Sequence, residues 1–282
     1  MRTALVGCGA VATEYAPDLA AHDDLALVAV ADTDPERAAA TAAAHGATAH
    51  DSTAALLDAT DAPLVVNLTP HGVHERVTRA CLSAGRHVFS EKPLATDPDA
   101  ARDLVALAAR EDLGLACAPT NPAADPQRAA RRHLAEGRLG PVRAAHADVS
   151  VGRVGEWHDA PDSFRRAGPL LDAAVYPLTL LTELFGPVDR VIAADATRLD
   201  PAGGPDDAPD HVAATLAFAD GPRLQLRASM YVPHRAGRFM SCALHGDDGS
   251  LALPDCGTLG GDGPDSYPTY ARLGSEPVAV PP

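Results

Sequence analysis

RTALVGCGAVA, residues 2–12, decides the fold. A short apolar run leads straight into two glycines one residue apart, and the chain stays helix-forming from there to about Ala21. This is strand, tight turn and helix. In such a turn Gly7 takes a backbone course closed to larger residues, and Gly9 lets phosphate oxygens approach the main chain. The helix opening at Ala12 offers free N–H groups and a partial positive charge. LALVAVAD at 25–32 is a second buried strand ending in acid, and PERAAATAAAH at 35–45 is a helix with proline near its start. Asp32 stands twenty residues beyond Ala12, where a carboxylate meets the ribose hydroxyls of a dinucleotide. A carboxylate there repels a 2′-phosphate and Thr33 adds no positive charge, so NAD is expected over NADP. Arg37, on the following helix, reads as a solvated surface cation, the alternative being that it admits the extra phosphate of NADP.

The alternation continues through LVVNLTP at 64–70, a helix over about 72–84, RHVFSEKP at 86–93, a helix over about 98–110, and LGLACAP at 113–119. Buried strands alternating with helices give a parallel sheet covered on both faces, a Rossmann domain. Thr69 and Pro70 end its fourth strand at the carboxyl edge, where cofactors sit. His71 and His74 follow at a helix start; with no carboxylate or thiol partner in register they read as capping or cofactor-contact residues, and no metal is expected.

After Pro119 the rhythm changes. NPAADP at 121–126 is a turn cluster and PQRAARRHLAEG at 126–137 an amphipathic helix, which divides the chain into a dinucleotide-binding domain, 1–119, and a second domain, 120–282. Strand-like segments near 142–151, 188–196, 211–219, 223–232, 239–245 and 250–253, with a hairpin signal at 219–222, give an α+β domain with a mostly antiparallel, open-faced sheet. One helix, about 169–185, interrupts them. DPAGGPDDAPD at 200–210 reads as an exposed acidic loop, and the tail from Pro254 as irregular.

The 282 residues carry a net charge of −15, which argues against nucleic acid as a partner. No apolar run is long enough to span a membrane, and the apolar N-terminal stretch is too short for a signal peptide. Five cysteines without CxxC or close His/Cys spacing fit a reducing, cytoplasmic setting better than a zinc site. Of 23 basic residues 22 are arginine, and the single lysine is Lys92. Arginine stays charged, whereas a lysine amine can be brought to lose its proton, so a lone lysine reads either as a position where proton transfer is wanted or as chance.

With the GCGAVA turn before it, NLTPHGVHERVTRACLSAGRHVFSEKPLA at 67–95 resembles the glucose-fructose oxidoreductase and inositol dehydrogenase (Gfo/Idh/MocA) family, and GRLGPV at 137–142 and GPLLDAAVYPLTLLTELFGPV at 168–188 extend the likeness over most of the chain. The resemblance implies that Lys92 of Glu91-Lys92-Pro93, with Asp172 and Tyr176 of the D-x-G-x-[HY] motif, lines the pocket beside a nicotinamide, Thr179 lying one turn further. WHDAPDSFRRAGPLLD at 157–172 is similar to the branch that has tyrosine in the last motif position. Asp172 and Tyr176, four residues apart in one helix, are expected on one face. Tyr176 with Lys92 beside it can pass a proton; the lesser alternative from periodicity alone is a core tyrosine bonded to Asp172. Two departures stand out: Ala174 replaces the family's usual glycine, and the family continues beyond the strand near 250 into helices that return to the cofactor domain, whereas this sequence ends at Pro282.

The expected cofactor-facing set is Gly7, Cys8, Gly9, Ala10, Val11, Ala12, Asp32, Thr33, Thr69, Pro70, His74, Glu91 and Lys92. Trp157 and His158 are candidates for stacking on a sugar ring, and Arg165 and Arg166 for an anionic substrate group. The expected activity is an NAD-dependent dehydrogenase of a sugar, cyclitol or related polyol. A catalytically silent NAD-binding sensor of the same fold is the alternative, and redox-assisted glycoside cleavage a third. A homo-oligomer, dimer or tetramer, is expected to cover the open sheet face.

Overall fold

In the computed structural model the N-terminal run forms β1 (Arg2–Val6), followed by α1 (Ala12–Ala21), β2 (Ala26–Ala31), α2 (Pro35–His45), β3 (Thr48–His50), α3 (Thr53–Ala59), β4 (Leu64–Asn67), α4 (His74–Ser83), β5 (His87–Ser90), α5 (Pro98–Arg110) and β6 (Leu115–Cys117). The structure describes residues 1–119, 125–158, 160–201, 203–204, 206–232, 239–254, 271–273 and 276–278. The NPAADP turn cluster falls largely outside them. The chain divides into two compact units, Met1–Ala118 and Pro119–Pro282.

The six strands of the first unit lie in the order β3-β2-β1-β4-β5-β6 and all pair in parallel. The winding reverses between β1 and β4, so a crevice opens at their carboxyl ends, where open parallel sheets bind ligands. Alternate strand residues face opposite layers. Ala4, Val6, Val65 and Val88 meet Leu56, Val77, Leu82 and Leu104 on one side, and Leu5, Val30 and Val66 meet Ala12, Ala16 and Ala42 on the other. Small residues on α1 and α2 bring those helices close to the sheet. Local signals set the helix ends. The Asp34 carboxylate accepts from the Glu36 and Arg37 amides at the start of α2, and Gly46 ends it in the left-handed region. β3 has only three residues and no apolar run, and its neighbour α3 is announced by little more than its Ser52 cap.

The second unit contains α6 (Asp125–Ala135), β7 (Val142–Ser150), α7 (Asp162–Asp172), α8 (Val175–Phe185), β8 (Val188–Thr197), β9 (His211–Phe218), β10 (Arg223–Ser229), β11 (Met240–Gly246), β12 (Ser250–Pro254), β13 (Ala271–Leu273) and β14 (Glu276–Val278). Its sheet runs β14-β13-β12-β11-β7-β10-β9-β8. Every pairing is antiparallel except β7 with β10, which run parallel from Ala144 beside Arg223 to Ser150 beside Ser229. A hairpin cannot join parallel strands. The chain therefore leaves β7 and builds α7, α8, β8 and β9 before it returns to β10. One sheet face packs Ala145, Ala147, Leu224, Leu226, Met240 and Leu244 against Leu180 and Leu181 of α8. The other carries polar groups such as Arg227, which grips the Asp148 carboxylate with two nitrogens.

Three expectations need correction. The helix expected over about 169–185 is two helices. Gly168 interrupts α7 at φ +69°, and the Ala173 and Ala174 amides both turn to the Pro169 carbonyl, at 3.1 and 2.9 Å, which separates α7 from α8. Ala174 is fully buried in the core. The acidic loop at 200–210 is not simply exposed: the Ala208 amide bonds to the Arg165 carbonyl, and the Asp210 carboxylate accepts from the Leu199 and Asp200 amides. The tail read as irregular adds β13 and β14 to the sheet. No helix among the described residues is long and apolar enough to cross a membrane.

Candidate functional site

The turn after β1 is fixed by main-chain geometry. Gly7 has φ +98°, and a Cβ there would lie 2.7 Å from the Leu68 carbonyl, so only glycine fits. Around Gly9 the space is open: a Cβ would meet nothing within 4 Å, and Gly9, Ala10 and Val11 are exposed while Ala12 is buried. An exposed, side-chain-free turn at a helix N-terminus suits a pyrophosphate. Cys8 is buried, and its amide donates to Asp32 Oδ2 at 2.8 Å, fastening the turn to the end of β2.

Asp32 is 9% exposed and gathers three donors: the Cys8 amide, the Asp34 amide at 2.8 Å and the Arg37 guanidinium at 2.9 Å. Burial works to raise its pKa, but Arg37 and the two amides outweigh it and hold the carboxyl below the usual aspartate value. Arg37 is thus no merely solvated cation; it pairs with Asp32 and also with Asp34, at 3.1 Å. Thr33 is exposed beside them.

The opposite wall follows β4 and β5. Asn67, fully buried at the end of β4, donates to the His74 carbonyl and to Thr78 Oγ1, both at 3.1 Å, and accepts from the Thr69 hydroxyl at 2.6 Å. It organises the Thr69-Pro70 corner. Sequence reasoning passed over it, although an asparagine at the end of an apolar run was the available signal. His74 is 2% exposed, and both ring nitrogens face main-chain carbonyls: Nδ1 lies 2.7 Å from the Pro93 oxygen and Nε2 against that of Thr69. Burial pulls its pKa below the ordinary histidine value, although the two carbonyls favour the charged ring. Expected as a cofactor contact, His74 has its polar atoms committed to these two corners. His71 is also buried, its ring 5.9 Å from that of His74. Lys92 is half-buried just past β5, and its peptide bond to Pro93 is cis. The Lys92 amide donates to Glu91 Oε2 at 3.0 Å, while Glu91 Oε1 accepts from the Tyr15 hydroxyl of α1 at 2.7 Å. Burial pushes the Cys117 thiol up to about 12, so it stays protonated, with Sγ 3.6 Å from the Glu91 carbonyl oxygen.

In the second unit Asp172 ends α7, 3% exposed, and Tyr176 lies in the first turn of α8, half-buried and edge-on to Phe239 with ring centroids 5.2 Å apart. The two residues therefore do not share one continuous helix. Thr179 lies half-buried farther along α8. Trp157, His158 and Phe164 form a three-ring cluster with centroids 4.9–5.7 Å apart, and Trp157 is 37% exposed. Arg165 and Arg166 diverge. Arg166 is exposed, whereas Arg165 lines a cavity of about 260 Å³ with Arg153, Arg198, Asp207 and Met230. Arg153 is held there by the Tyr231 carbonyl at 2.9 Å and Glu156 at 3.2 Å. Among the described residues no group of three or more His, Cys, Asp or Glu side chains is placed to hold a metal ion.

Residues 1–117 match the model of the oxidoreductase family with NAD-binding Rossmann fold, GFO_IDH_MocA, and residues 127–252 match the GFO/IDH/MocA C-terminal domain. A dTDP-3,4-didehydro-2,6-dideoxy-alpha-D-glucose 3-reductase from Streptomyces violaceoruber is 33% identical over 90% of this chain and 72% of its own. Its namesake from Streptomyces antibioticus is 35% identical over 61% of this chain, which spans 52% of that protein. The crystal structure of the WlbA dehydrogenase from Bordetella pertussis, in complex with NADH and UDP-GlcNAcA, superposes with a TM-score of 0.81 at 27% identity, covering 90% of this chain and 79% of its own. With both units matched and the dinucleotide turn built as its sequence demands, the chain belongs to the Gfo/Idh/MocA family of oxidoreductases.

Proposed function

We propose that the protein is an NAD-dependent dehydrogenase or ketoreductase acting on a secondary hydroxyl or carbonyl of a sugar, cyclitol or related polyol. The observation that carries this reading is the placement of the chain's only lysine. Lys92 follows β5 directly, beside the crevice where the winding of the sheet reverses, with its own amide bonded to Glu91. The turn at Gly7–Val11 fits a pyrophosphate, and Asp32 fits a ribose without a 2′-phosphate. Its carboxylate faces three donors but has lone pairs for about four, which leaves room for a hydroxyl. When bound, the nicotinamide supplies the hydride donor or acceptor.

The chain's own task is the proton. On oxidation Lys92 takes the proton of the substrate hydroxyl, and on reduction it returns it; in the second unit Tyr176 is the group proposed to pass that proton and Asp172 the one to orient the hydroxyl. The relatives named above support a sugar substrate, since two reduce a sugar at carbon 3 by name. The half-buried Arg165 faces the 260 Å³ cavity and suits an anionic substituent on that sugar. The second copy expected in a homo-oligomer covers the second unit's sheet.

The test is NADH formation across a panel of polyols, sugars and sugar nucleotides, with the reverse reaction followed on the corresponding keto sugars. NADH binding without turnover on any of them overturns the enzymatic reading and leaves a cofactor-holding sensor.

A further inference from the structure

We propose that Tyr15 is a positioning residue whose hydroxyl, through the Glu91 carboxylate, ties the helix of the dinucleotide turn to the main chain of Lys92. The inference rests on Lys92 being the proton-transfer group. Tyr15 lies in the first turns of α1, the helix that begins at the glycine turn. Its ring sits 6.0 Å from that of Phe89 on β5, and the hydroxyl reaches Glu91 Oε1 at 2.7 Å. Glu91 turns its other oxygen to the Lys92 amide at 3.0 Å.

The rest of Glu91 is held as firmly. Its amide donates to the Asn67 carbonyl at 2.8 Å, and its own carbonyl accepts from the Ser90 hydroxyl at 3.0 Å, with the Cys117 thiol 3.6 Å away. Every polar atom of Glu91 is thus engaged, and its partners come from α1, β4, β5 and β6. Beyond Lys92, His74 grips the carbonyl of Pro93 at 2.7 Å. Lys92 therefore stands between two clamped neighbours, and the Tyr15 bond connects this clamp to the helix that opens at the dinucleotide turn. A small displacement of a reacting group costs large factors in rate, so such a link bears on turnover more than on affinity.

The experiment uses Tyr15→Phe, which removes one oxygen and keeps the ring against Phe89. Because Lys92 is the only lysine, reductive methylation with carbon-13 formaldehyde places one side-chain label, and its NMR resonance reports the amine in the cofactor-free protein. In Y15F this resonance is expected to move while the melting temperature stays close to that of the wild type. At the same time kcat falls roughly tenfold or more and KM for NAD and for the polyol changes less than about twofold. Phe89→Leu, which disturbs the ring contact and spares the hydroxyl, keeps kcat within about twofold of wild type. Glu91→Gln cannot accept on both sides and lowers kcat as well; adding Y15F to it causes little further loss, because both act through one connection. Wild-type kcat and an unmoved lysine resonance in Y15F overturn the proposal, as does an F89L loss equal to that of Y15F. Lys92→Arg separates the two levels. If it retains most of the turnover, the proton role itself fails and the positioning role with it. If it is inactive while Y15F behaves as wild type, only the positioning role fails.

Discussion

Lys92→Arg keeps a cation past β5 but replaces a compact amine that can lose its proton with a planar group that does not. Turnover is expected to fall by about 10²- to 10⁴-fold, the usual worth of general acid–base help. NADH affinity, read by fluorescence titration, stays within a few-fold of wild type. Asp32 gives a pH dependence of known sign. Its folded pKa lies below the unfolded value, so its stabilisation is complete above about pH 4, the unfolded range, and is lost as pH falls through the lower folded value. The stability gap between wild type and Asp32→Asn should therefore be constant near neutrality and shrink in acid, as denaturant unfolding at stepped pH values will show. An unchanged gap down to pH 2 contradicts the assignment. Gly7 and Asp32 were legible because their roles depend on spacing within one strand-turn-helix unit. Tyr15 was not, since it matters through Glu91, seventy-six residues away, which no local pattern reveals; Asn67 left a local trace, a polar residue ending an apolar run, but its partners on α4 did not.

At the scale of elements, the α7–α8 break is where tertiary contacts override the pattern. Residues 169–185 are apolar at helical spacing without interruption, so periodicity alone joins them. The break comes instead at Ala173 and Ala174, whose amides both turn to the Pro169 carbonyl; just before Pro169, Gly168 kinks α7 at φ +69° and packs so closely that a Cβ there would lie 2.8 Å from that of Ala208. Gly168→Ala is accordingly expected to destabilise the protein by more than about 1 kcal/mol, measured by urea unfolding, and to impair activity by shifting Asp172 at the far end of α7. Gly9→Ala makes the contrasting case. Space around Gly9 is open, so its stability should change little while NADH binding weakens, because the new methyl occupies the phosphate approach. Equal NADH affinity in that variant would falsify the placement of the pyrophosphate. The first unit was readable almost element by element, since each strand ends in a recognisable turn. β3, with three residues and no apolar signature, and the short α3 after it were the exceptions.

For the whole molecule, β8 closes one end of the eight-stranded sheet with nearly every residue exposed, including Val191 at 60% and Ile192 at 48%. Apolar side chains on an open edge strand invite a partner. Sedimentation is expected to show a species larger than the 29.0 kDa chain, and Val191→Asp combined with Ile192→Asp to shift it towards the monomer. A wild-type monomer at micromolar concentration would refute the proposed assembly. The class of the second unit was legible from its strand-like runs and hairpin signal, but not the parallel contact at its centre, because pairing between distant strands leaves no mark in either one. Everything from residue 151 to 222 is a single detour between two adjacent strands, and the detour carries Trp157, Arg165, Asp172 and Tyr176. One contiguous segment thus delivers the second unit's whole share of the proposed site, together with Leu180, Leu181, Leu216 and Phe218 of the core, so chemistry and packing there are written in the same stretch of chain.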